Sequence, residues 1–182
     1  MNIAKDRSLI KLAAQGDQGA FGKLVQLHQS AVFNVAYRML GNRQDAEDVA
    51  QEAFVRAYNA FKSFDTDRPI RPWLKKIATN LCLNRIKAHH PTLSLENGLP
   101  PPKEPKPGPE AQTANREQDA QIRTAILSLA PHYRAVIELR HFQNLNYEEI
   151  AETLSKPLSS VKSDLFRARK MLAEKLKELK RI

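Results

Sequence analysis

The stretch NYEEIAETLSKPLSSVKSDLFRARKML, residues 146–172, has the pattern of two helices joined by a tight turn, the second of them basic. Asn146 is placed to cap the first helix, and Glu149, three residues on, to return a hydrogen bond to the cap's own amide. Ile150, Ala151 and Leu154 then share a face, and Ala151 is small enough to let another helix cross closely. The first helix is expected to end near Ser155. Lys156-Pro157-Leu158 makes the break, because Pro157 has no amide donor and biases Lys156 away from helical geometry. Ser159 or Ser160 is expected to cap the second helix.

In that second helix Val161, Leu165, Ala168 and Leu172 recur at four, three and four residues and form the expected buried stripe. Lys162, Ser163, Phe166, Arg167, Arg169 and Lys170 are left for the other faces. Hydroxyl and basic side chains at the start of a helix with an apolar back suit major-groove edges and phosphates. The same pattern also fits an ordinary helical hairpin with a solvated basic face.

Charge points the same way. The 182 residues carry a formal charge of +9, which favours a polyanionic partner. Residues 1–90 hold 14 Lys and Arg against 8 Asp and Glu, residues 91–118 hold 3 against 4, and residues 119–182 hold 12 against 8. The positive charge thus lies in two blocks around a nearly neutral segment. Seven of the eleven prolines fall between Pro91 and Pro109, a composition that buries too little apolar surface to offset its ordering entropy and reads as an extended, stiff connector. The expected architecture is therefore all-α: two small helical domains, 1–90 and 116–182, joined by a proline-rich linker over 91–115, with the helix-turn-helix in the second domain. Helices are expected over about 6–15, 17–40, 42–62 and 72–89 before the linker. After it they are expected over about 116–129 and 131–143, followed by the opening pair.

The lone Cys82 has no internal disulfide partner and suits a reducing, cytoplasmic setting. No apolar run approaches the ~20 residues that cross a bilayer, so no membrane insertion is expected. His28, His89, His90, His132 and His141 are scattered or adjacent instead of at i, i+4, and no nucleophile motif or glycine-rich phosphate loop is present. No enzymatic activity, metal or cofactor is expected.

Two features of the first domain call for a functional reading. In Gln44–Phe54 the residues Asp45, Asp48 and Glu52 share one helical face and Ala46, Val49, Ala50 and Ala53 the opposite one. In so basic a chain this acidic stripe suits either a docking surface or a solubilising face. Further on, a loop rich in Asp, Arg and Pro leads into a helix bearing Arg71, Trp73, Lys75, Lys76, Asn80, Arg85 and Lys87. Cations interleaved with an aromatic and an amide suit unpaired DNA, whose bases are open to stacking and edge hydrogen bonds. Trp73, with Leu74, Ile77, Leu81 and Ile86 around it, equally suits a core position.

Three blocks, GDQGAFGKLVQLHQSAVFNVAYRMLGNRQDAEDVAQEAFVRAY (16–58), PWLKKIATNLCLNRIK (72–87) and the opening stretch, together resemble the extracytoplasmic-function sigma factors, small bacterial promoter-recognition subunits of RNA polymerase. The resemblance spans nearly everything but the proline-rich segment. It implies a first domain that binds core RNA polymerase and melts the minus-10 promoter element, a second that reads the minus-35 element, and no catalysis. Matched position by position, Asp45, Asp48, Gln51 and Glu52 would face the clamp helices of the largest polymerase subunit. The loop from about Ser63 to Arg71, with Asn80, would hold a flipped minus-10 base, and Trp73, Lys75, Lys76 and Arg85 would support it on the DNA. Ser160, Lys162, Ser163, Phe166 and Arg167 would meet the minus-35 groove. Asp164 departs from the pattern, standing where many relatives carry Arg, and the near-neutral linker departs from an often acidic one. The resemblance also implies an anti-sigma partner, which no residue identifies. At ~3.1 Å per residue the linker reaches on the order of 85 Å, against roughly 55 Å between promoter elements ~16 base pairs apart. The alternative reading is a stand-alone helix-turn-helix repressor or activator.

Overall fold

Helical periodicity runs through both charged blocks, and every regular element among the described residues is helical. The computed structural model describes the backbone of residues 3–89 and 113–179, with side chains over 6–88 and 119–178. The elements are α1 (Ile3–Ala14), α2 (Gln18–Leu40), α3 (Arg43–Ala60), a 3-10 turn (Phe61–Ser63), α4 (Ile70–His89), α5 (Thr113–Leu127), α6 (Pro131–Ile137), α7 (Tyr147–Leu154) and α8 (Leu158–Leu179). Most of the proline-rich segment lies outside the described residues.

The local signals account for the boundaries. Gly16 and Gly41 close α1 and α2 at φ of 95° and 76°, the left-handed region that glycine enters without a Cβ penalty. Asp17 caps α2 by accepting from the Ala20 amide at 2.9 Å. Pro131 opens α6 at a position where the missing N–H has no intrahelical partner. Four starts precede their expected places: α1 begins at Ile3, α4 two residues before Pro72, α5 at Thr113, and α8 at Leu158 instead of after a serine cap. In the last case Pro157 itself supplies the first carbonyl, accepting from the Val161 amide at 3.2 Å, so Ser159 and Ser160 fall inside the first turn. The helix expected over 131–143 changes gait after Ile137 and finishes as a π-helical turn, Glu138–Phe142, with the Gln143 amide bonded to the Glu138 carbonyl at 3.2 Å.

The chain divides into two compact units, Met1–Tyr37 with Arg43–Cys82, and Arg38–Asn42 with Leu83–Ile182. In the first, α3 buries Ala46, Val49, Ala50, Ala53, Phe54 and Ala57, a face of mostly small residues that permits close helix approach. Leu24, Val32, Val35, Ile70, Leu74 and Ala78 are buried there too. Phe21 meets Tyr58 and Phe61 edge-on at 5.0 and 5.3 Å between ring centroids, and Phe61 meets Trp73 at 5.9 Å. His28 is 1% exposed, with Nε2 3.6 Å from the Asp6 carboxylate. Burial pushes its pKa below 6.5; Asp6 opposes that shift and Arg71 adds to it.

The second unit centres on Leu129, Val136, Ile137, Leu139, Ile150, Val161, Leu165 and Ala168, with Tyr133, Leu145, Tyr147, Ala151 and Leu154 packed against them. At about 1.5–3 kcal/mol for each large apolar side chain buried, this cluster is the main force holding α7 and α8 together. Leu172, expected in the same stripe, is only half-buried: it lies one turn beyond Ala168, past the last of the core cluster. Arg134 is buried and donates to the carbonyls of Leu127 and Leu129 at 2.7 and 3.1 Å, satisfying the end of α5.

Candidate nucleic-acid interface

Helix α7, which leads into the turn before α8, is fixed at both ends by hydrogen bonds. Asn146 accepts from the Glu149 amide at 2.8 Å and Glu149 accepts from the Asn146 amide at 2.7 Å, the reciprocal cap expected from the sequence. Ser155 ends α7 in the left-handed conformation at φ 51°, and the Lys156 amide reaches back to the Ala151 carbonyl at 3.0 Å. Val161, Leu165 and Ala168 face inward at 0–1% exposure. Lys162, Ser163, Phe166 and Arg167 are exposed, and Ser160 is half-buried at the edge. Phe166 is 72% exposed, an arrangement that costs a soluble helix apolar hydration and that suits contact with a thymine methyl group. Beside this face Arg169 Nε donates to His141 Nε2 at 3.3 Å. Burial, then the charges of Arg169 and Arg140, hold the His141 pKa below 6.5, so the ring is a neutral acceptor near pH 7.

In the first unit the loop leading into α4 is drawn tight by Asp65, which accepts from the Asp67 amide at 3.1 Å and pairs with Arg68 at 3.3 Å. Arg7 braces the same loop through Asp67 at 3.2 Å. Along α4, Arg71 and Asn80 are exposed, while Lys76 and Arg85 are half-buried. Two expected DNA contacts sit elsewhere than an open face. Lys75 is 9% exposed, one helix position from buried Leu74, so its stem is packed inside. The Trp73 ring lies 4.6 Å from Phe64 and 5.9 Å from Phe61, which makes it part of an aromatic cluster supporting the loop.

The acidic stripe of α3 faces outward: Asp48, Gln51 and Glu52 are exposed and Asp45 is half-buried. Glu52 is paired with Arg56 at 2.6 Å. Among the described residues no group of three or more His, Cys, Asp and Glu is placed to hold a metal ion. No described helix is long and apolar enough to cross a membrane.

Residues 24–92 match sigma-70 region 2, and residues 119–172 match sigma-70 region 4. The chain belongs to the sigma-70 family. It is 37% identical to the extracytoplasmic-function (ECF) sigma factor SigW of Bacillus subtilis, over 93% of this chain and 96% of that one. It is 32% identical to the ECF sigma-E factor of Escherichia coli K12, over 96% and 95% of the two chains. Among solved structures, CnrH in complex with the cytosolic domain of CnrY superimposes with a TM-score of 0.66 at 29% identity, covering 96% of this chain and 98% of that one. The chain is therefore an ECF RNA polymerase sigma factor, and the reading as a stand-alone repressor or activator falls away.

For a sigma factor the α3 face holds more than its carboxylates. Val55 and Tyr58 are 60% and 45% exposed on the same helix, and Val55 is three residues beyond Glu52 and seven beyond Asp48, hence on their face. Glu47, Gln51 and Phe54 of α3, with Gln29, Phe33 and Asn34 of α2, line a cleft of about 590 Å³ beside it. Sequence reasoning followed charge and passed over these apolar members, although the helical spacing from Asp48 to Val55 was there to be read.

Proposed function

We propose that the factor docks on core RNA polymerase through the outer face of α3, centred on Asp45, Asp48, Gln51 and Glu52 and extended by Val55. The loop from about Ser63 to Arg71 and the exposed side of α4 handle the minus-10 element. Arg71, Lys76, Asn80 and Arg85 meet the DNA, and Trp73 and Lys75 hold the loop and helix from behind. Flipping a base out of the stack costs a few kcal/mol, and the phosphate contacts of these cations offset it. The face Ser160, Lys162, Ser163, Phe166 and Arg167 reads the minus-35 element. The functional division is a minus-10 domain over 1–90, a linker over 91–115 and a minus-35 domain over 116–182. The protein carries out no chemistry of its own and works in the cytoplasm, where the polymerase is. A protein regulator holds it inactive, as expected from the family resemblance and in keeping with a structural neighbour solved in complex with CnrY.

The observation that carries this reading is α8: one face supplies the core, and the other presents lysine, serine, arginine and a largely exposed phenylalanine at its first turns. Reconstituted transcription with core enzyme tests it. The factor is expected to produce promoter-dependent transcripts from a subset of genomic fragments; none from any fragment would overturn the reading.

A further inference from the structure

Asp164 sits in the second turn of the helix assigned to the minus-35 groove, where an unpaired carboxylate would be repelled by phosphates. Its surroundings differ from those of its neighbours. Lys162, Ser163, Phe166 and Arg167 are exposed, but the Asp164 side chain is 14% exposed, with Val161 three residues before it and Ala168 four after it, both fully buried. Its Oδ2 receives Lys156 Nζ at 2.8 Å, and the Lys156 side chain is itself only 30% exposed. Lys156 is anchored at its other end as well, since its amide is bonded to the Ala151 carbonyl of α7 at 3.0 Å. One residue of the turn therefore touches both helices, by its backbone on α7 and its ammonium on α8.

We propose that Asp164 is a positioning residue for minus-35 recognition: with Lys156 it fastens the turn to α8 and sets the helix in the groove, and it does not read a base. The proposal rests on α8 being the groove helix. It also removes Lys156 from the phosphate contacts, because that ammonium is already neutralised within the fold. Recognition geometry tolerates displacements of only about 0.5 Å or 10–20°, so a tie between turn and reading helix acts on Arg167 and Lys162 without touching DNA.

Charge gives the test its sign. If the two residues acted only through the field at the DNA, Asp164→Asn would strengthen promoter use and Lys156→Met would weaken it. As a tie, both substitutions weaken it. The full chain with core polymerase is assayed on a promoter with an intact minus-35 element and on single-base variants of that element. Each substitution is expected to lower use of the intact promoter about fivefold, the factor that ~1 kcal/mol corresponds to at the upper end for a pair that is not fully buried. The double variant Asp164→Asn/Lys156→Met is expected to be no weaker than either single one. The reversed pair Lys156→Asp/Asp164→Lys recovers most of the loss, and the base preference at every minus-35 position is unchanged. The salt dependence of Lys156→Met matches that of the unsubstituted protein, whereas loss of a phosphate contact would lower the slope by about one.

Opposite signs for the two single variants, no effect of either, a changed preference at one base position in Asp164→Asn, or failure of the reversed pair to recover would each overturn the proposal. Asp164→Asn is isosteric, and melting curves confirm that the variants are folded at the assay temperature. An unsubstituted protein indifferent to the minus-35 sequence would instead overturn the assignment of α8, a failure seen before any variant is made.

Discussion

Phe166 and Asp164 lie two residues apart on α8 and take opposite places, the aromatic ring in solvent and the carboxylate against the fold. Helix geometry explains this, since a step of two residues turns about 200° around the axis. Arg167, on the exposed side, is expected to contribute through charge and donor geometry. Arg167→Ala should cost about 1–3 kcal/mol of minus-35 dependence, measured as the ratio of transcription from promoters with intact and scrambled minus-35 elements. Asn146 works at a distance from DNA. Its replacement by Ala removes the side-chain half of the capping box and should destabilise the second unit by about 1 kcal/mol, visible in thermal melting. His28 makes the stability of the first unit depend on pH. Its folded pKa lies below 6.5 because the ring is buried, so below that pH the unfolded chain binds a proton that the folded chain resists. Stability should be constant above about pH 7, fall as pH drops below 6.5, and lose that part of its slope in His28→Gln. The single tryptophan, Trp73, lies in the same unit and its fluorescence reports the transition.

At the scale of the element, α3 divides its surface between a buried face and an open one. Its alanine-rich face is consumed by the core, which leaves Asp48, Gln51, Glu52 and Val55 on the outside. Asp48→Ala is expected to weaken core polymerase binding several-fold while binding to free DNA is unaffected, and Val55→Asp to weaken it further by placing charge in an apolar contact. Titration of labelled factor with core enzyme measures both. The reverse pattern, in which DNA binding weakens and polymerase binding is kept, would refute the assignment of α3. The element scale is also where the sequence was most readable. Caps and glycines placed the end of α1 and both ends of α2, α3 and α7 closely, because those signals act within a few residues. The start of α8 at Leu158 and the π-helical turn after Ile137 departed from expectation, because each depends on how a carbonyl finds its donor in the folded chain. On α4 the mixed cationic and aromatic pattern was legible as a surface, but which members are open was not. Lys75 turns inward with Leu74, and Trp73 is taken up by Phe61 and Phe64.

At the scale of the molecule, two small DNA-reading units imply that neither needs high affinity by itself. The pure factor is expected to bind duplex promoter DNA weakly, with a steep loss of affinity as salt rises and within about tenfold of its affinity for unrelated sequence. A gel shift across a salt series, repeated with core polymerase, measures this, and tight sequence-specific binding by the factor alone would contradict it. The sequence by itself determined the all-α class, the two charged blocks, the helix-turn-helix and the family, because helical periodicity, capping and net charge are properties of short stretches and of composition. Only the tertiary structure decided which cations face solvent, that apolar Val55 stands open beside the carboxylates of α3, and that Asp164 is held by Lys156. Those outcomes depend on which side chains from separate helices meet in space, and spacing along the chain fixes the face of a helix but not the partner that covers it.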